Sequence, residues 1–191
     1  MTRRRSGLLA AGAVVVAALA ACSADPVLLD GDDFPGVEET TQNTRSGNVP
    51  GPTWCDGMAA DTVAAPSSPG TVLDLGDRGT AGAVIIDRSA DGLGSDQVLA
   101  QLQGQADACA DSSVAEQGSV IEPLTGLGDG AIGWTTRRVD GEWGEYVLVP
   151  LDEWRLLAVG FSTTQDEPPV ELADLVDRAV AGADRFPASE G

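Results

Sequence analysis

The chain has 191 residues, with 30 acids, 11 arginines, no lysine and no histidine, and a formal charge of −19. That balance excludes nucleic acid as a partner, because phosphates are held where Lys and Arg neutralise them. It also argues against adhesion to anionic head groups. The missing His and Lys remove the commonest general base, the commonest zinc ligand and Schiff-base chemistry, so the sequence predicts no enzyme, no metal site and no cofactor.

The first five residues carry Arg3, Arg4 and Arg5, and residues 8–20 are apolar or small throughout. A transmembrane helix needs ~20 apolar residues. A basic start with a shorter apolar run and small residues before a cut is the pattern of a secretory signal. The run closes on Leu19-Ala20-Ala21-Cys22, which resembles the lipobox of bacterial lipoproteins. The resemblance implies that residues 1–21 are removed and that Cys22 carries palmitate-type acyl chains. It places the protein on the extracytoplasmic side of the cell membrane, anchored by lipid. Two or more chains on one cysteine meet the requirement for stable anchoring. Residues 22–191 hold eight arginines against 30 acids, a formal charge of −22, so the lipid alone is expected to make the membrane contact.

Residues 22–52 read as an acidic, disordered tether, with Asp30, Asp32, Asp33, Glu38 and Glu39 followed by a Thr/Gln/Asn run and Pro50 and Pro52. Such a composition supplies little core, and a flexible chain of ~30 residues reaches ~30 Å. Residues 53–187 then form one domain and 188–191 a tail. Thr53-Trp54-Cys55-Asp56 has the form of a capping box, with a helix to about residue 64, before Pro66. Residues 83–87, Ala-Val-Ile-Ile-Asp, read as a strand. Ser95 is placed to cap a helix over 96–110 whose apolar stripe is Val98, Leu102, Ala106 and Cys109. In an exported chain Cys55 and Cys109 are expected to form a disulfide, contributing about 4 kcal/mol by loop closure. A further strand is expected near 114–121.

The densest strand signal runs from Ala131 to Ser162. Asp140-Gly141 between two β-like runs predicts a two-residue hairpin turn. That turn pairs Trp134 with Val147 and Arg138 with Trp143, the latter as a cation–π pair. A second turn near Asp152-Glu153 pairs Val149 with Leu156. Trp134, Val147, Val149 and Leu156 then share one face, either a core layer or an open apolar groove for a partner or ligand. Tyr146, Leu148, Leu157, Val159 and Phe161 occupy the other. Pro168-Pro169 is expected to open a last helix, with the stripe Leu172, Val176, Ala179, Ala183 and Phe186.

Two motifs invite a ligand reading. Asp87 to Gly92 begins like a calcium loop, but its twelfth position is Val98, where a glutamate is needed; a strand-to-helix turn is expected instead. Gly126, Gly128 and Gly130 form a Gly-x-Gly-x-Gly run that leads into a strand, whereas a phosphate cradle leads into a helix.

The expected fold is α+β in two layers, a three-strand antiparallel meander packed by helices, with one disulfide. The two domain cysteines, the Leu-Gly-Asp-Gly-Ala turn at 127–131, the meander and the final amphipathic helix resemble small actinobacterial cell-envelope lipoproteins. More distantly they resemble the extracellular sensor domain of mycobacterial serine/threonine kinases. The resemblance implies a non-catalytic binding or sensing module with an envelope protein or a hydrophobic ligand as partner. A hydrophobic-ligand carrier and a carboxylate-dependent envelope hydrolase are the alternatives.

Overall fold

The computed structural model describes residues 26–43, 69–111 and 119–188, without the side chains of 43 and 109–111. Cys22, Cys55 and the side chain of Cys109 lie outside these, so no disulfide is seen and the expected bridge is not described. The helix expected over 54–64 lies outside as well. Seven strands and two helices follow in the order β1 Glu39–Asn43, β2 Gly70–Asp74, β3 Thr80–Asp87, α1 Ser95–Asp111, β4 Ser119–Pro123, β5 Ile132–Arg138, β6 Trp143–Pro150, β7 Arg155–Thr163 and α2 Leu172–Ala183. They make one antiparallel sheet in the order β1-β2-β3-β7-β6-β5-β4. The α+β class holds, but the expected three-strand meander is a seven-stranded sheet.

The two-layer expectation is also corrected. On one face Val98, Leu102 and Ala106 of α1 pack against Val84, Ile86, Ile121, Trp134, Leu148 and Leu156. On the other, Leu175, Ala179 and Ala183 of α2 join Leu28, Leu29 and Phe34 over Leu73, Ala81, Ala83, Ile85, Leu157, Val159 and Phe161. The central strands β3 and β7 are covered on both faces. Their near-continuous apolar runs, Ala-Val-Ile-Ile and Leu-Leu-Ala-Val, are what two-sided burial requires.

The tether expected over 22–52 is overturned where it is described. Leu28 and Leu29 are 2% and 1% exposed, and β1 is an edge strand of the sheet. Buried Thr71 holds the segment, its hydroxyl accepting from Leu29 N–H and donating to the Gln42 carbonyl. Gly182 lets α2 close on it, since a Cβ there would collide with the Leu28 carbonyl. Arg178 reaches back to Asp33 at 2.8 Å and lies over the Phe34 ring. A stretch with five acids still enters the core, because its three large apolar side chains fill one site together.

Both hairpins differ from expectation by one residue, for the same reason. Arg138 N–H donates to Glu142 O, and the loop is Val139-Asp140-Gly141, with Gly141 at φ +91°. The Asp140 carboxylate holds it, accepting from Glu142 N–H and from Arg138. The second loop is likewise three residues, Asp152 to Trp154, closed by Leu151 N–H to Arg155 O. Asp152 accepts from the Trp154 and Arg155 N–H groups and the Arg155 guanidinium. Three-residue loops with glycine or an Asx turn are the next commonest hairpin connection. A shift of one residue sends each affected side chain to the opposite face.

Candidate apolar cleft

The register decides where the expected groove residues go. Trp134 pairs with Tyr146 and Val147 with Gly133, while Val149 pairs with Leu157 and Pro150 with Leu156. Trp134 and Leu156 therefore face α1, at 2% and 1% exposure. Val147 and Val149 face the opposite side. The four residues expected on one face are split between two, and the Trp134 face is core, not groove. The cation–π partner of Trp143 is Arg137, 5.0 Å from the ring centroid. Arg138, expected there, turns to Asp140 and Glu142.

An apolar cleft does exist, on the Val147 side. It has a volume of about 480 Å³, and its lining is Leu124 to Asp129, Ala131, Val147, Val149, Leu172, Ala173, Val176 and Asp177. Half-buried Val149 lies at its base with Val147, which is only 2% exposed, beside α2 where that helix packs over β7. One wall is the first two turns of α2. Leu172 and Val176, expected in the core stripe, are half-buried and pack against the edge of the α2-side core, while the fully buried residues of α2 are Leu175, Ala179, Gly182 and Ala183. The helix begins at Leu172, three residues beyond the paired prolines, with Glu171 extended at the N-cap (φ −68°, ψ 123°). Its buried stripe centres on Leu175, leaving Leu172 and Val176 half-buried at the cleft wall.

The other wall is the loop between β4 and β5. Leu124 N–H donates to Gly133 O, and Ala131 N–H closes a turn on Gly128 O. Gly126 and Gly130 sit at φ +77° and +74°, where other residues are strained. The glycine run serves as a turn leading into a strand. Leu127 folds back over the sheet at Gly133. A Cβ at 133 would stand 3.0 Å from the Leu127 side chain and 3.1 Å from Val147, so glycine there gives Leu127 its seat. The cleft falls within the ~300–1,000 Å³ usual for small-ligand sites. Sequence reasoning noted the Leu127 turn only as a motif. What made it a wall is the bare backbone of Gly133, a residue with no chemistry of its own.

The polar residues of the calcium-like segment and of the α1 start are engaged locally. Asp87 caps the short turn at Ser89 and Asp91 pairs with Arg88 at 2.7 Å, so the calcium-like segment is a turn leading to α1. Among the described residues no three His, Cys, Asp or Glu side chains gather as a metal site. Ser95 donates to Asp152 O, tying α1 to the β6–β7 loop. The cap falls at Gly94, whose N–H is met by the Gln97 side chain.

On the α1 side, Tyr146 lies over Gly144 and Gly160, which have no Cβ to obstruct it. Its hydroxyl meets Thr136 and Ser162, and Ser162 donates to Glu142. Burial, and then the Glu142 carboxylate, push the phenol up to about 12. Nearer the cleft, burial raises the Glu145 carboxyl above its usual range, and the Arg137 charge partly offsets this. The hydroxyls of the Tyr146 cluster are bonded to one another and to a carboxylate.

Comparison with known proteins gives no match: no family model, no curated protein and no solved structure is similar to this chain.

Proposed function

We propose that this protein is a lipid-anchored, extracytoplasmic binding module that holds an apolar ligand, or the apolar part of a partner, in the cleft between the 124–131 loop and α2. The observation that carries the reading is the cleft itself. Leu124, Leu127, Val147, Val149, Leu172 and Val176 converge on one concavity. The residues at its rim, Thr125, Asp129, Ala173 and Asp177 among them, are exposed. An open rim favours a sensor or partner-binding module over a carrier that encloses its cargo. The absence of His and Lys, and the engagement of Ser162 with Glu142, favour a non-catalytic role.

Val176→Asp tests the cleft. The residue is half-buried at the edge of the α2-side core, so the variant is compared only after far-UV circular dichroism shows that it remains folded. The full chain carrying Cys22→Ser is expected to enhance the fluorescence of the uncharged probe N-phenyl-1-naphthylamine. Addition of Val176→Asp should weaken that binding about tenfold or more, since a buried unpaired charge costs several kcal/mol. Equal binding by both would refute the site.

The anchor rests on the lipobox-like Leu19-Ala20-Ala21-Cys22, and the Cys55–Cys109 disulfide on the oxidising compartment that export implies. Cys22→Ser is expected to abolish incorporation of labelled palmitate and release the protein from membranes. Retention with normal processing would overturn the anchor without touching the cleft.

A further inference from the structure

We infer that the cleft selects an amphiphile with an apolar chain and a cationic head. This rests on the cleft being the binding site, and it concerns what the rim allows. The lining holds two charges, Asp129 and Asp177, both carboxylates, and no arginine. Both are exposed, and neither is in an ion pair with a described residue. The arginine next to Asp177 along α2, Arg178, is committed to Asp33 at 2.8 Å and stacks on Phe34. Arg137, on the same face of the sheet as Val147 but at the far end of β5, is held over Trp143. No described cation answers the two carboxylates, and the rest of the chain adds negative charge. A chain lying on Val147 and Val149 would bring its head to the rim. There an ammonium or guanidinium meets two carboxylates, and a fatty-acid carboxylate meets like charge. The cleft's volume falls in the small-molecule range, which favours a small amphiphile as the occupant.

The test uses displacement of N-phenyl-1-naphthylamine from the full-length Cys22→Ser chain by three twelve-carbon amphiphiles below their micelle concentrations. They are dodecyltrimethylammonium, 1-dodecanoylglycerol and dodecanoate. Displacement should be strongest for the cation and weakest for the anion, with about a tenfold span at low salt that narrows as salt rises. The double substitution Asp129→Asn, Asp177→Asn should shrink that span to about twofold, by weakening the cation and strengthening the anion. Dodecanoate displacing as well as the cation would overturn the inference. So would a span that survives the double substitution, which would assign the preference to the general acidity of the chain. If the probe itself does not bind, the cleft reading fails, and this selectivity falls with it.

Discussion

Tyr146 is the single tyrosine of the chain, which makes its environment directly measurable. It is 6% exposed and lies on glycine-bare backbone at Gly144 and Gly160. Its phenol is pushed up to about 12 by burial and by the Glu142 carboxylate. A raised folded value means that the protonated phenol stabilises the fold. That stability is complete below pH 10 and is lost as pH climbs from 10 through 12, with a magnitude of order 2 kcal/mol. No lysine titrates in the same window. Tyrosinate absorbance near 295 nm should rise with a midpoint near 12, coupled to loss of tertiary structure. A reversible midpoint at 10 with the fold intact would show an exposed phenol. Nothing in the sequence marked Tyr146 as special, because its burial is made by glycines on two neighbouring strands.

Elements were more legible than their pairings. The Val98-Leu102-Ala106 stripe identifies α1 and the face it buries, because helical period alone fixes both. The apolar runs at 83–86 and 156–159 identify the two central strands. The hairpin registers were not legible, because Asp-Gly suits both a two-residue and a three-residue loop, and the choice turns on the Asp140 carboxylate bridging Glu142 N–H and Arg138. Helix α2 shows the other limit: its period was clear, but the sheet and the Leu28 segment decide that Leu175 is inside and Val176 at the wall. These assignments separate two tryptophan readings. Trp134→Ala should cost about 3–5 kcal/mol in denaturant unfolding, as for other buried aromatics. It should leave probe affinity within about twofold in protein that remains folded, since Trp134 faces α1 on the far side of the sheet. A stable Trp134→Ala variant that no longer binds the probe would restore the groove to that face.

At the scale of the molecule, the burial of Leu28 changes what an anchor at Cys22 implies. Six residue steps separate the two positions, a span of at most about 20 Å, against the ~30 Å reach expected of a tether through residue 52. An anchor at Cys22 would therefore hold the domain close to the bilayer surface instead of on a long leash. Three apolar residues among many acids were invisible to an average over composition, though they build one end of the core. Among the described residues the sheet is covered on both faces, with an apolar cleft open beside α2. The most direct test of that arrangement is photolabelling of the intact chain with an uncharged alkyl diazirine, followed by peptide mapping. Labels should concentrate in residues 124–131 and in Leu172 to Asp177, and Val176→Asp should remove them from both segments together. Labels spread over the exposed apolar residues Val139 and Trp154, with neither cleft wall enriched, would contradict the account.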